Sequence, residues 1–284
     1  MKNSLITWVR QHPILAFLVW FFPVAWTVAL IPWIAHNTVG LDLPQDPFFP
    51  LATLFGSTLP VVAIVRITGK PVGLRRQLLK TRAHAGWYAL GLVAVPAVSL
   101  ALAILMFGVP DVTPATWVNA ILLGFVLQTL VGFSATNLWE EFAWMGFFQS
   151  QMQSRYGVIG AVLIASVFFT LQHAPLVVLE GLPAFAMLFL FVMVVPFRAL
   201  VAWVYNRTGS LFLIGLLHAA GDAMVGGSIT GVGILPRLYE GQNVALIGDF
   251  AQVLIGLVVI AGTRARLGMP AGATTRVAVQ VAGA

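Results

Sequence analysis

The chain has 284 residues, of which 60% are hydrophobic and 8% charged, with a formal net charge of +6 and no cysteine; its mean hydropathy of +0.95 excludes an ordinary soluble domain. The missing cysteines exclude disulfides, thiolate metal sites and a cysteine nucleophile. The basic residues lie between apolar runs and form no groove-like array, so nucleic acid is excluded as a partner and membrane lipids are expected instead.

Lys2 and Arg10 precede an apolar run from Pro13 to Ile34. That run is too long for a signal-peptide core and lacks a small-x-small cleavage site, so it reads as a retained first span. Further spans are predicted at 48–67, 86–107, 117–153, 157–174, 183–205, 209–226 and 244–262. Apart from the fourth, each is close to the roughly 20 residues that a helix needs to cross the hydrocarbon core. Their apolar residues do not alternate with polar ones, which disfavours barrel strands. The fold class is therefore all-α, a polytopic transmembrane helical bundle of about eight spans. The run 117–153 is too long for one upright crossing, and Gly124, Gly132 and Asn137 are the candidates for a tilt or break.

Between the second and third spans, Val72 to Trp87 mixes Leu74, Leu78 and Leu79 with Arg75, Arg76, Lys80 and Arg82, a pattern that predicts a short helix in the headgroup region. Residues 1–267 form a single transmembrane domain, and the small residues of 268–284 predict a disordered cytoplasmic tail. Charge sets the orientation. Lys2, Arg10, the basic loop from Lys70 to Arg82, Arg155, Arg207, Arg264 and Arg266 fall on one side, and Asp42, Asp46, Asp111, Glu180 and Glu240 on the other, with Arg237 as the basic exception. Both termini are predicted to be cytoplasmic, in a multi-pass protein of a prokaryotic plasma membrane.

A charge at the bilayer centre costs at least roughly 2.5 to 3.5 kcal/mol on insertion scales, so each one needs a reason. Glu140 and Glu141 lie in NLWEEFAWMGFFQ, His173 in VFFTLQHAP, and His218 and Asp222 in LLHAAGDA. His218 and Asp222, four apart, share a helix face. Counted from the turn near Arg155 at about 1.5 Å per residue, Glu140 and His173 reach a similar depth on neighbouring antiparallel helices. Three helices are thus expected to bring the carboxylate pair, two imidazoles and a further carboxylate to one buried pocket. Such a pocket offers a general base for water and imidazoles for the oxyanion formed when water attacks an amide. Alternatively, imidazole and carboxylate groups bind Zn²⁺ and one glutamate activates metal-bound water, although the HExxH signature is absent. His12, His36 and His84 flank spans and read as interfacial.

At these residues the sequence resembles the CPBP family of intramembrane proteases, also called the type II CAAX prenyl endopeptidase or Abi family, whose motifs are EExxxR, FxxxH and HxxxN or HxxxD. The matching positions are Glu140, Glu141 and Met145, then Phe169 and His173, then His218 and Asp222. The RYG at Arg155 to Gly157, the HAP at His173 to Pro175 and VYNRTGS at Val204 to Ser210 are also family-like, over a core of 115–226 with weaker agreement at 70–85.

The resemblance implies an intramembrane endopeptidase acting on a membrane-associated protein or peptide. Glu140 would activate water with Glu141 as its companion, His173 would assist or bind metal, and His218 and Asp222 would polarise the scissile carbonyl. The family has been described both as zinc metalloproteases and as metal-free glutamate proteases; His173, His218 and Asp222 are the candidate metal ligands. Two departures stand out. Met145 replaces the motif arginine, removing a permanent charge and several donors. Asp222 stands where many relatives have asparagine. The methionine sustains an alternative, a proteolytically inactive scaffold or bacteriocin-immunity-type protein of the same fold. A secondary transporter is disfavoured, because no internal repeat is evident.

Overall fold

A computed structural model describes residues 2–69, 73–227 and 231–270. The protein is an all-α bundle whose helices are apolar enough for a membrane, with one antiparallel pairing of Gly226–Gly227 and Gly231–Val232 as its strand structure among the described residues. Helix α1 (Lys2–Gln11) meets α2 (Pro13–Ala29) at 103°. Pro13 causes this corner, because its ring disfavours helical backbone at the preceding residue, and His12 has φ −128° and ψ 54°. Arg10 Nε ties α1 down by donating to the carbonyl of Ile67 at 2.9 Å. Helix α3 (Ile31–Val39) continues α2 beyond Leu30.

Helix α4 (Phe48–Thr68) is followed by the short α5 (Leu74–Leu78), which buries Leu74 and Gln77 and leaves Arg75 and Arg76 exposed. This is the surface helix that the basic segment predicts; Lys70 lies outside the described residues. Helix α6 is Ala85–Phe107. Helix α7, residues 114–156, is one run of helical backbone. It does not break at Gly124, Gly132 or Asn137. Instead it passes through π-helical turns at Ala120–Leu127, Phe133–Asn137 and Phe142–Gln149, which absorb the mismatch in register without a break. Gly124 serves close approach: a Cβ there would lie 2.9 Å from the backbone nitrogen of Ile234.

The break comes at Gly157, with φ 73° and ψ 173°, a conformation that strongly favours glycine. Helix α8 (residues 158–172) then returns to His173, and α9 (Ala174–Leu179), α10 (Ala186–Thr208), α11 (Leu211–Asp222), α12 (Ile234–Leu238) and α13 (Ile247–Gly262) complete the described chain. By length and composition, α4, α6, the α7 to α9 run and α10 can cross a membrane, as can α1 and α2 taken as one bent span. Helices α11 and α13 are apolar but shorter. Of the tail expected from 268, residues beyond Pro270 lie outside the described residues.

The bundle is apolar outside as well as inside. Leu105, Leu188 and Val258 are at least two-thirds exposed, a surface suited to lipid and unsuited to water. Inside, Phe21, Trp144, Phe148 and Phe169 pack edge to face around Trp144, with ring centroids 5.0 to 5.8 Å from its own. Hydrocarbon supplies no hydrophobic drive between helices, so small residues that allow close backbone approach carry much of the packing. A Cβ on Gly215 would come within 2.9 Å of Leu138 Cα, and one on Gly256 within 2.3 Å of the Pro196 carbonyl oxygen. These contacts seat α11 on α7 and α13 on α10. A Gly256→Ala substitution should therefore lower stability by about 1 to 3 kcal/mol through overpacking. Gly262→Ala on the same helix, where nothing lies within 4 Å, should be near neutral; thermal unfolding of the two variants in one detergent checks the contrast.

Candidate active site

The site forms where α7, the α8 to α9 junction and α11 face one another. Glu140, His173, His218 and Asp222 all line one cavity of about 350 Å³, together with Asn137 and Gln172, while Phe21, Ala25, Ala29, Phe49 and Ala52 supply an apolar wall. His173, His218 and Asp222 also border a smaller cavity of about 100 Å³ that includes Asp249 and Gln252.

Glu140, His173 and Asp222 are each held by a hydrogen bond. Gln172 Nε2 donates to Glu140 Oε1 at 2.9 Å. The same Gln172 accepts the indole N–H of Trp144 in a short hydrogen bond, so both ends of its amide are engaged. His173 Nδ1 lies 2.8 Å from the Phe169 carbonyl oxygen. A carbonyl only accepts, which places a proton on Nδ1 and leaves Nε2 for the cavity. His218 Nδ1 lies 3.1 Å from Glu141 Oε1, outside hydrogen-bond alignment, and Nε2 lies 3.8 Å from Asp222 Oδ2. Asp222 Oδ2 accepts from the Asn137 amide at 2.7 Å.

Glu141 differs from the expectation of a carboxylate pair in one pocket. It is fully buried and does not line the cavity. Successive residues on an α-helix point about 100° apart, and the neighbour of a cavity-facing residue is turned into the bundle. There Arg198 of α10 meets it: Arg198 Nη1 is 2.9 Å from both Glu141 oxygens, while its Nε and Nη2 donate to Gln149 Oε1 at 2.9 and 2.7 Å. Arg198 is itself completely buried, its guanidinium 5.1 Å from the centre of the Phe169 ring.

Motif spacing misses Arg198, Gln149, Asn137 and Gln172, since none of them falls at a motif position. Arg198 nevertheless carries a readable signal, being an arginine well inside an apolar span. For the zinc expectation, His173, His218 and Asp222 are neighbours, yet no group of three or more His, Cys, Asp or Glu among the described residues is arranged to hold a metal.

Asn137, itself buried, holds the half-exposed carboxylate of Asp222, and Asn137→Asp would set a second carboxylate against it. The expected loss of stability is on the order of 1 to 3 kcal/mol. The swap Asn137→Asp with Asp222→Asn restores a donor and an acceptor, and should recover most of the loss in thermal unfolding.

Residues 123–224, which contain Asn137, Glu140, Glu141, His173, Arg198, His218 and Asp222, match the family described as type II CAAX prenyl endopeptidase Rce1-like. No curated protein matches the chain.

Proposed function

We propose, from the membership of residues 123–224 in the type II CAAX prenyl endopeptidase family, that the chain is an intramembrane endopeptidase cleaving a membrane-associated protein or peptide. The observation that carries this reading is the presence of Glu140, His173, His218 and Asp222 on the wall of one cavity. Glu140 is the base. It takes a proton from water, helped by the open Nε2 of His173, as the water oxygen bonds to the scissile carbonyl carbon. The carbonyl electrons move onto oxygen, and the oxyanion is met by His218 Nε2–H and by the amide of Asn137. On collapse the C–N bond breaks, and Glu140 returns its proton to the leaving amine. Glu141 has no path to substrate; its carboxylate lies behind His218, 3.1 Å from Nδ1, and favours the imidazolium.

No step is routed through zinc. Metal analysis of the purified protein and cleavage after chelation test the His173, His218 and Asp222 ligand set, and the glutamate mechanism expects no dependence on either. The apolar wall from Phe21 to Ala52 suits an apolar group beside the scissile bond, and the family name points to prenylated CAAX proteins.

The decisive assay uses the chain in lipid with prenylated and unprenylated peptides. Wild type should cleave, and Glu140→Gln should lose about 10² to 10⁴-fold with its folding intact. Equal product from both removes Glu140 from catalysis. No product from folded wild type favours the inactive scaffold that Met145 suggests.

The proposal extends to topology: one domain over 1–267 with its core at 115–226, eight crossings, and both termini on the cytoplasmic side of a prokaryotic plasma membrane. The basic residues on one set of loops support it. Because the chain has no cysteine, single-cysteine labelling has no background. His84→Cys should react from the cytoplasmic side and Asp111→Cys from the opposite side; labelling of both from one side overturns the count.

A further inference from the structure

We propose that Arg198 of α10 does in this chain what the arginine at motif position 145 does in its relatives, so that the first motif is complete in space although broken in sequence. This rests on the protease reading above and adds a positioning residue to it.

Glu141, Met145 and Gln149 are spaced four apart on α7, close to one turn each of its π-helical stretch, so they lie along one side of that helix. Arg198 bonds the first and the last of the three, with both oxygens of Glu141 at 2.9 Å and Gln149 Oε1 at 2.7 and 2.9 Å. Its guanidinium therefore lies across the strip centred on position 145. An arginine at 145, about one turn from Glu141, would be long enough to reach the same carboxylate from its own helix. Met145 is fully buried, as are Glu141, Gln149 and Arg198. One cation is in place where two would face a single carboxylate, and the uncharged methionine at 145 is the counterpart of the arginine at 198.

The consequence reaches the cavity through two links. Arg198 fixes Glu141, and Glu141 Oε1 stands 3.1 Å from His218 Nδ1. His218 Nε2 is the atom that faces the reacting carbonyl. Glu140, the next residue of α7, is set by the same stretch of helix. Arg198 touches no substrate in this scheme; it holds the carboxylate whose charge lies against the imidazole.

The test is a relocation, read by both turnover and thermal unfolding of the full chain in lipid. Arg198→Leu should lower kcat by about a hundredfold or more with a small change in KM, the size expected when a reacting group is misplaced by about 1 Å. It should also lower the melting temperature. Met145→Arg alone should be impaired on both counts, because two guanidinium groups would then compete for one carboxylate. The double variant Met145→Arg with Arg198→Leu should return to within about tenfold of wild-type turnover and regain most of the lost melting temperature. A double variant no better than Arg198→Leu in melting temperature overturns the proposal, and so does one that regains stability but no turnover, which is the mark of a merely structural arginine. If Arg198→Leu does not fold, recovery of folded protein in the double variant supports the relocation, and failure to recover it overturns the relocation. If wild type cleaves no peptide, the melting temperatures still decide the relocation while the protease reading falls separately.

Discussion

Hydrocarbon offers an ionised side chain neither water nor counterion, so a buried charge there survives only beside a partner that satisfies it. In this protein that constraint is concentrated at Arg198 and Glu141, both fully removed from solvent. The guanidinium supplies donors in a fixed fork, and Glu141 and Gln149 take four of its hydrogen bonds. Since one partner comes from α10 and the others from α7, the ion pair fixes the depth of one helix against the other. Close helix contacts act in the same direction. Gly215 lets α11 approach Leu138, two residues before Glu140, and Gly256 lets α13 approach Pro196, two residues before Arg198.

The two adjacent glutamates are divided by helical geometry. Neighbours on a helix point about 100° apart, and here one opens on the site while the other is sealed behind it. Glu140 is held by a neutral amide, that of Gln172, and a neutral donor orients a carboxylate without committing it to an ion pair. Glu141 accepts both bonds from Arg198 and turns an oxygen toward His218. An acidic pair in sequence thus becomes one carboxylate on the cavity wall and one buried against a guanidinium.

Much of this was legible in the sequence because lipid makes apolar length and stray charge informative. The apolar runs give the all-α membrane bundle, and the few charged or imidazole groups inside them give the cluster around Glu140, His173, His218 and Asp222. The course of α7 was not legible. Glycine and asparagine suggest weak points, but close approach to Ile234 and three π-helical turns keep the helix running until Gly157, where positive φ ends it. The partner of Glu141 was not legible either, because a motif records spacing along one helix and Arg198 arrives from another, 57 residues away. Asn137 was singled out as a candidate break, and its amide instead binds Asp222.

What the cavity can accept follows from the state of a peptide bond in a membrane. A carbonyl within a transmembrane helix is already bonded to the amide four residues on, so it is shielded from water and from an oxyanion donor. A hydrolytic site of the kind proposed therefore needs a substrate segment that is extended, or at a helix end, where it enters the cavity. An unpaired backbone in lipid is costly, and the cavity wall offers the means to relieve that cost: Thr53, Gln128, Thr136 and Asn137 bring polar side chains to the same space as the apolar wall of Phe21, Ala25 and Phe49. Gln128 also donates to the carbonyl of Gly231 at 2.6 Å, linking that wall to the short strand pair after α11. A lining of this mixed kind fits an extended peptide carrying an apolar group better than either a lipid chain alone or an intact helix.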